Sequence, residues 1–318
     1  MTTVLVTGCA GFIGSHLCEI LLSHNLKVIG VDNFDDFYPR SIKETNLNLF
    51  INHPNFVFKD ADLTINGSLS DIDGVDVVIH LAAKAGVRPS ISNPLHYLNC
   101  NIVGTQNLLD FLVEKNIKKY IFGSSSSIYG NTSVVPFTEL DACNSPISPY
   151  AYTKKAGELM NYTYHQLYNI DTINLRFFTV FGPRQRPDLA IFKFVKLIKE
   201  GKSIEMFGDG ETARDYTYVA DIVEGIYCAL NYLIQHEHVY EKFNIGNNYP
   251  VTLKKLIQTI YSELNVKPNI IRKEWQKGEV EITYADISKA DKMLGYQPKV
   301  KFEDGISEFI KWYDGKNV

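Results

Sequence analysis

The sequence predicts an α/β fold: a Rossmann-type, doubly wound parallel sheet followed by a smaller mixed α/β C-terminal lobe. In the first half, short runs rich in β-branched residues alternate with segments whose apolar residues have helical spacing. The runs are apolar on both faces, which is typical of parallel strands covered by helices. After about residue 178, shorter elements separated by proline and glycine replace this alternation.

Five apolar runs in the first half are the predicted strands. Between them, Leu17 and Leu21 fall on one helical stripe, and Leu108 and Leu112 fall on another. The predicted strands cover residues 3–7, 27–32, 75–82, 119–125 and 171–177.

The loss of this pattern also suggests a division into two domains. We predict a cofactor-binding domain at residues 1–178 and a substrate-binding domain at residues 179–318. Some segments of the second domain are expected to return to the first.

Composition excludes several classes of protein. With 45% hydrophobic and 21% charged residues, the 318-residue chain is typical of a globular protein. Its net charge of −4 gives no reason to expect a nucleic-acid partner. The five cysteines are scattered and contain no CxxC pair, so neither a disulfide framework nor a metal site is predicted.

The N-terminus and the longest apolar run indicate where in the cell the protein is expected. The first residues lack the pattern of a signal peptide. Residues 75–83 are far shorter than the ~20 residues that span a bilayer. We therefore expect a soluble, cytoplasmic protein with no membrane partner.

A glycine-rich turn follows the first predicted strand. Gly8, Gly11 and Gly14 form a GxxGxxG pattern that leads into a helix, where backbone amides can approach a pyrophosphate. Asp32 ends the second strand, where a carboxylate can bind the adenosine ribose hydroxyls and repel the 2′-phosphate of NADP. The two features together predict NAD as the cofactor.

A tyrosine and a lysine share a face at the start of a predicted helix. Ser148 is a favoured N-cap and Pro149 suits the first helical position, so Tyr150 lies in the first turn and Lys154 one turn later. An ammonium, a helix N-terminus and a positive nicotinamide ring would all lower the pKa of the phenol toward that of a useful base. Surface pairs with this spacing are nevertheless common. The spacing alone leaves both interpretations open.

Several motifs, in order along the chain, resemble those of the extended short-chain dehydrogenase/reductase family of nucleotide-sugar enzymes. The resemblance implies a tightly held NAD, a UDP-sugar bound between the lobes and a homodimer formed by paired helices. It also implies that Tyr150 is the catalytic base and that Lys154 binds the nicotinamide ribose. The motifs are TGCAGFIGSHL, VDNF, HLAA, SSSSIYG, SPYAYTKKAGE and ARDYTYVADI.

The same resemblance extends the predicted cofactor site along the chain. It places Asp62 and Leu63 beside the adenine. The complete predicted set, besides Tyr150 and Lys154, is Gly8, Gly11, Phe12, Ile13, Gly14, Asp32, Asn33, Phe34, Asp62, Leu63, Leu81, Ala82, Ala83, Lys84 and Asn101.

The serine run indicates which reaction follows oxidation of the sugar at C4. Relatives resembling 4,6-dehydratases carry an Asp-Glu pair before the "VYG"-like segment, and decarboxylating relatives usually carry a Glu. This chain has Ser126 and Ser127 there. The expected reaction is therefore 4-epimerisation, in which a hydride is returned to the other face of the 4-keto sugar.

Side chains alternate along a strand, so Ser125 and Ser127 are predicted to share the face toward the substrate. Ser124 and Ser126 would then lie on the other face. We count Ser125 and Ser127 as both catalytic and substrate-binding residues.

The segment RFFTVFGPRQRPDLAIFKF resembles its counterpart in UDP-glucuronate 4-epimerases. Arg186 could bind a C6 carboxylate through a bidentate pair, and Thr179 could donate a further hydrogen bond. Arg214 is expected to meet the pyrophosphate, and Phe207 to pack near the uracil. Glu279 replaces an aspartate of the relatives near the expected ribose contact.

Other interpretations stay open at this point. Arg186 could only solvate a loop or contact phosphate. The substrate could then be UDP-glucose or UDP-N-acetylglucosamine. A UDP-sugar dehydratase or decarboxylase, and a non-catalytic NAD-binding regulator, are further alternatives. The regulator would be expected to lack Tyr150 or Lys154, and this chain has both.

Overall fold

A computed structural model describes residues 1–132, 134–274 and 280–315, so Glu279 lies outside the described residues. The strands are β1 Thr3–Thr7, β2 Lys27–Asp32, β3 Phe56–Asp60, β4 Val77–His80, β5 Lys119–Ser125, β6 Asp171–Phe177, β7 Thr179–Phe181, β8 Ile204–Phe207, β9 Ala213–Tyr218, β10 Tyr240–Ile245, β11 Pro250–Thr252 and β12 Ile270–Lys273. The helices are α1 Phe12–Ser23, α2 Arg40–Leu47, α3 Val87–Ser92, α4 Pro94–Leu98, α5 Gly104–Glu114, α6 Pro149–Tyr168, α7 Ala190–Lys199, α8 Val219–Gln235, α9 Leu253–Glu263, α10 Ser288–Leu294 and α11 Phe302–Gly315.

The central sheet has seven parallel strands in the order β10-β6-β5-β4-β1-β2-β3. Its strand order reverses between β1 and β4, and this reversal makes the sheet doubly wound. The α/β, Rossmann-type prediction is thus confirmed. Four of the five predicted strands have the expected bounds, and β4 is shorter than its apolar run.

Helices cover both faces of this sheet because alternate strand residues point to opposite sides. On β1, Leu5 packs on one side with Leu108 and Leu112 of α5. Val4 packs on the other side, in the cluster that contains Leu17 and Leu21 of α1. All six side chains are fully buried. The two apolar stripes read from the sequence are therefore the helix faces that close the core.

The strand β10 comes from the second half of the chain and joins the central sheet. It pairs in parallel with β6, with Tyr240 opposite Thr172 and Ile245 opposite Phe177. The remaining strands form a three-stranded sheet, β11-β9-β7, and a two-stranded pair, β12-β8. The strands β7, β8, β9 and β11 pack with α7, α9 and α11 around a separate apolar cluster, whereas the residues of β12 are exposed. The exact division at residues 178 and 179 stays a prediction.

Over the described ranges, no helix combines the length and apolar character that crossing a bilayer requires.

Candidate functional site

The glycine turn is held tightly against the neighbouring strand. Gly8 has φ +73°, and a Cβ there would lie 2.8 Å from the Ala82 nitrogen. A Cβ on Gly14 would lie 2.0 Å from the Gly8 carbonyl oxygen. The helix α1 then begins at Phe12 with Gly11 as its N-cap and no side-chain cap. The turn therefore presents uncapped first-turn amides at the carboxyl edge of the sheet, an arrangement suited to binding an anion.

Asp32 closes β2 beside this turn. Its carboxylate accepts hydrogen bonds from the Ala10 amide at 3.2 Å and the Phe34 amide at 2.9 Å. Burial raises the pKa of Asp32, and the nearby Lys43 ammonium and the two amides lower it. These contacts fix the orientation of the carboxylate at the strand end.

A cleft runs along the carboxyl ends of β1, β2, β4 and β5, where ligands bind in open α/β sheets. Most predicted cofactor residues contribute to its walls together with Tyr150 and Lys154. They are Gly8, Gly11, Phe12, Ile13, Gly14, Asp32, Asn33, Asp62, Leu63, Leu81, Ala82, Ala83 and Lys84.

Phe34 and Asn101 are predicted cofactor residues that lie outside the cleft walls. Phe34 is buried with φ +51°, and its ring packs 5.4 Å from that of Phe58. Asn101 is also buried, and its amide group pairs with the backbone of Lys84 at 2.8 and 3.0 Å. In the structure, the Asn101 side chain supports the wall residue Lys84, and Phe34 contributes through its backbone amide, which donates to Asp32.

The wall also contains residues that the sequence reasoning missed. Asp35, Phe37 and Tyr38 line the cleft from the segment that follows β2. The signal was present in the sequence, because this acidic and aromatic stretch directly follows Asp32.

The helix α6 places the tyrosine and the lysine as predicted. Ser148 is its N-cap and accepts a hydrogen bond from the Ala151 amide at 3.1 Å, with Pro149 at the first position. Both Tyr150 and Lys154 line the cleft. The Lys154 ammonium donates to the Gly123 carbonyl at 2.6 Å, and burial lowers the pKa of Lys154 to about 7.

The electrostatics of Tyr150 differ from the sequence-based expectation. Burial raises the pKa of Tyr150, and a hydrogen bond with the Ser125 hydroxyl and the charge of Arg186 lower it. Lys154, the expected source of this effect, instead directs its Nζ at a backbone carbonyl. In the protein chain alone, Ser125 and Arg186 therefore favour the phenolate of Tyr150.

The serine run is not one extended strand, so the reason given for pairing its side chains is wrong. The strand β5 ends at Ser125, and Ser126–Tyr129 forms a 3₁₀ turn capped by the Ser125 hydroxyl. Ser125 and Ser127 nevertheless meet, because the Ser127 hydroxyl donates to Ser125 Oγ at 3.0 Å. Neither residue lines the cleft wall, but Ser125 lies beside Tyr150. The capping of the 3₁₀ turn by Ser125 therefore brings Ser125 and Ser127 together, the same two residues that strand alternation predicted.

Ser124, and not Ser125 or Ser127, contributes to the cleft wall, which differs from the prediction, although Ser124 is only 2% exposed and its side chain turns toward α6. Its hydroxyl donates to the Glu158 carboxylate at 2.7 Å. Both oxygens of that carboxylate also accept hydrogen bonds from the Arg176 guanidinium, at 3.0 and 2.9 Å. Glu158 and Arg176 are 2% and 0% exposed, so this ion pair is inside the protein. It ties the serine run to α6 and β6.

Arg186 is the predicted substrate residue that reaches the cleft wall. It follows β7 in the loop that leads to α7, and it forms an ion pair with Asp188. Its guanidinium also lies over the ring of Phe37. The loop thus brings a cation to the same cleft as Tyr150.

The other predicted substrate residues lie outside the cleft walls. Thr179 begins β7 and is opposite Tyr216 of the neighbouring β9. Arg214, also on β9, donates to the Ala213 carbonyl at 2.9 Å. Phe207, at the end of β8, lies 5.8 Å beneath the guanidinium of Arg88. Three strands, β7, β8 and β9, therefore supply this second group.

Arg88 is a further basic residue that sequence reasoning missed. Burial lowers the pKa of Arg214, and the nearby Arg88 charge lowers it further. Two arginines that affect each other in this way, with Phe207 beside one of them, are suited to an anionic group attached to a ring. The signal in the sequence was the Arg that follows HLAAKAGV.

One group of side chains has the composition of a metal site. The ligand atoms of Asp35, His96 and Cys100 lie within 4.8 Å of one another. Asp35, however, is ion-paired with the Lys84 ammonium, and burial raises the pKa of Cys100 to about 11. A lysine bound to the carboxylate and a protonated thiol both oppose metal binding, so we assign no metal to this group.

Comparison with known proteins gives a consistent result. Residues 5–309 match the family model described as GDP-mannose 4,6 dehydratase. The chain is 42% identical over 312 residues to UDP-glucuronate 4-epimerase of Thermodesulfobacterium geofontis, covering 97% of this chain and 95% of that protein. The crystal structure of Bacillus cereus UDP-glucuronic acid 4-epimerase in complex with UDP-glucuronic acid and NAD is similar, with a TM-score of 0.92 and 35% identity over 99% of this chain and 100% of that one. Thermotoga maritima UDP-glucose 4-epimerase with UDP-glucose has a TM-score of 0.90 and 30% identity, covering 100% of both chains. This chain therefore belongs to the GDP-mannose 4,6 dehydratase family of extended short-chain dehydrogenases/reductases.

Proposed function

We propose that this protein is an NAD-dependent epimerase that inverts C4 of UDP-glucuronate and forms UDP-galacturonate. The observation that carries the proposal is the position of Arg186 in the cleft that also contains Tyr150 and Lys154. If the C4 of a bound sugar lay at Tyr150, its C6 carboxylate would lie near the Arg186 guanidinium. The bound ligands of the Bacillus cereus relative, UDP-glucuronic acid and NAD, support the same assignment.

The residues along the cleft fit NAD. The close approach of the Gly8 turn to β4, and the uncapped start of α1, suit a pyrophosphate. Asp32 would bind the adenosine ribose and exclude a 2′-phosphate, and Asp62 and Leu63 would flank the adenine. When bound, NAD supplies hydride transfer at the sugar C4 carbon.

The chain's own residues would move the proton. Tyr150 would take the proton of the C4 hydroxyl and give it back after the sugar has turned over. The Ser125 hydroxyl, itself held by Ser127, would stabilise the phenolate form. Lys154 would hold the nicotinamide ribose.

The serine run argues against dehydration and decarboxylation. Relatives that dehydrate or decarboxylate the sugar resemble one another in carrying an acidic residue where this chain has Ser126 and Ser127. The carboxylate nearest to the run in the hydrogen-bond network, Glu158, is bound by Arg176 on both oxygens. It is therefore held in the core and is not available to the sugar.

The second group of residues would hold the nucleotide. Arg88 and Arg214 would bind the diphosphate, with Phe207 beside the uracil. Thr179 would donate to the uronate carboxylate along with Arg186.

A second candidate is an epimerase of an uncharged UDP-sugar. It is favoured by the Asp188 carboxylate, which already neutralises the Arg186 guanidinium. The similarity to UDP-glucose 4-epimerase from Thermotoga maritima points the same way.

A panel assay separates the candidates. The purified protein, with no added cofactor, is incubated in turn with UDP-glucuronate, UDP-glucose and UDP-N-acetylglucosamine, and the products are identified by NMR. We expect UDP-galacturonate to form fastest. Faster turnover of either uncharged sugar would reject the uronate assignment, and a UDP-pentose product would indicate decarboxylation. Denaturing the protein should release NAD, which mass analysis would detect.

We further propose a homodimer formed through α6 and residues 102–115, which include α5. Leu159 and Tyr162 on α6 are 58% and 49% exposed, and Val103 nearby is 42% exposed. A second copy could cover this apolar surface. Light scattering of a Leu159→Glu variant should give a monomer, whereas Leu140→Glu, at a leucine outside these helices that is 95% exposed, should leave the dimer intact. A monomeric wild-type protein would reject the proposal.

A further inference from the structure

The guanidinium of Arg186 is held along one edge by a neighbouring carboxylate. Its Nε donates to Asp188 Oδ1 at 2.9 Å, and its Nη2 donates to Asp188 Oδ2 at 2.9 Å. This bidentate contact fixes the plane of the guanidinium as well as its position. The Arg186 side chain is 17% exposed and that of Asp188 is 34% exposed, so solvent screens the pair only in part.

An aromatic ring restrains the same side chain from another element. The guanidinium carbon of Arg186 lies 5.2 Å from the centre of the Phe37 ring. The Lys84 ammonium lies 5.1 Å from the centre of the same ring. Phe37 is thus in contact with one cation from the loop after β4 and one from the loop after β7.

One edge of the guanidinium is left for a ligand. Within the described part of the chain, the hydrogen bonds of Arg186 involve only Nε and Nη2, both to Asp188. Nη1 makes no hydrogen bond to residues 1–132, 134–274 or 280–315. Arg186 lines the cleft, and its charge lowers the pKa of Tyr150. A carboxylate on a sugar at Tyr150 would therefore meet an arginine whose orientation is already set.

We propose that Asp188 and Phe37 are positioning residues that set the preference for a carboxylated sugar by holding Arg186 with its free edge available to the cleft. This inference rests on the proposed function. An arginine that is already ordered loses less side-chain entropy when it binds a carboxylate. Asp188 also keeps the guanidinium paired while no substrate is bound, so the half-enclosed cation is never left without a counter-charge.

The test measures binding to the NAD-loaded protein by titration calorimetry, with UDP-glucuronate, UDP-glucose and UDP as probes. We expect Asp188→Asn to weaken UDP-glucuronate binding by roughly 5- to 10-fold and to leave UDP-glucose and UDP unchanged. In turnover assays, KM for the uronate should rise while kcat changes little. A variant that is merely misfolded would lose affinity for all three probes.

Three further variants make the test specific. Phe37→Leu should weaken uronate binding in the same selective way, and Phe37→Tyr, which keeps the ring, should restore it. The matched control is Glu19→Gln, because Glu19 pairs with Arg184 two residues before Arg186 and does not line the cleft. This control should leave all three affinities unchanged.

The possible results separate the two proposals. A wild-type protein that binds UDP-glucose as tightly as UDP-glucuronate would overturn both. A wild-type preference for the uronate that survives Asp188→Asn would overturn only the positioning role. Tighter uronate binding by Asp188→Asn would also overturn it, because Asp188 would then compete with the substrate.

Discussion

At the scale of single residues, the reaction depends on how a half-buried phenol can lose its proton. Burial raises the pKa of Tyr150, and the groups that oppose this effect are the Ser125 hydroxyl and the Arg186 charge. One of these groups comes from the end of β5 and the other from the loop after β7. The reactivity of Tyr150 is thus set by side chains from different parts of the fold.

Removing the phenol hydroxyl should stop turnover without emptying the site. We expect Tyr150→Phe to retain NAD and to lower kcat by about 10³-fold, because a general base is lost while the walls of the cleft stay in place. Cofactor content is measured by mass analysis and kcat by NMR of the products. Tyr152→Phe, two residues further along the same helix, should behave like wild type. Wild-type kcat in Tyr150→Phe would refute the assigned base.

The Ser125 hydroxyl should affect the pH dependence of the reaction. In Ser125→Ala the hydrogen bond that lowers the Tyr150 pKa is lost, so the pKa rises and the acidic limb of kcat against pH moves to higher pH. At pH 7 the rate should fall about 10-fold or more. Ser126→Ala is the control, because Ser126 is a neighbour in the 3₁₀ turn with no assigned role. An unshifted profile in Ser125→Ala would contradict this prediction.

At the scale of elements, the central strands could be predicted and the edge strands could not. The strands β1, β2, β5 and β6 have the predicted bounds, since strands covered on both faces are apolar throughout. The missed strands, β3 and β10, are the two edges of the sheet. Each is only partly buried, so its sequence carries polar residues that hide the pattern. An edge strand is defined by its neighbour more than by its own composition.

The ion pair between α6 and β6 should contribute strongly to stability. Glu158→Gln would leave the fully buried Arg176 without its counter-charge, at a cost of about 3–5 kcal/mol in the free energy of unfolding. Urea denaturation of the NAD-loaded protein measures this loss. The control is Glu44→Gln, which removes an exposed pair with Arg40 and should change the free energy of unfolding little, because solvent screens that pair. A cost for Glu158→Gln as small as that of the control would contradict the prediction.

At the scale of the whole molecule, the site combines local and distant contacts, and only the local ones could be read from the sequence. The spacing of Tyr150 and Lys154 places them one helical turn apart on one face, and the motif that contains them resembles that of related enzymes. The contacts of Arg186 with Phe37 and of Ser125 with Tyr150 join segments that are far apart in the chain. Such pairs depend on which loops the sheet order brings together, and no spacing rule contains that information.

The core of the sheet contains a histidine whose neighbours require it to be neutral. The Thr105 hydroxyl donates to the Asn101 carbonyl at 2.6 Å, so it accepts from His80 Nε2, 3.0 Å away. Thr7 Oγ1 accepts from the Ala82 amide and donates to His80 Nδ1 at 2.7 Å. This network assigns the Nε2–H tautomer. Burial lowers the pKa of His80 from 6.5 to about 3.

This histidine should make the stability of the whole protein sensitive to acid. Because the pKa of His80 is lower in the folded state, its contribution is fully present above about pH 6.5 and is lost as the pH falls toward 3. Between pH 7 and pH 5 the loss from His80 is about 2 kcal/mol in the free energy of unfolding. His16, whose pKa burial lowers to about 4, adds a loss of the same sign. In urea titrations at the two pH values, His80→Gln should therefore show a pH-dependent loss about 2 kcal/mol smaller than wild type, whatever the variant costs at pH 7. An equal loss in the two proteins would mean that His80 takes up no proton on unfolding.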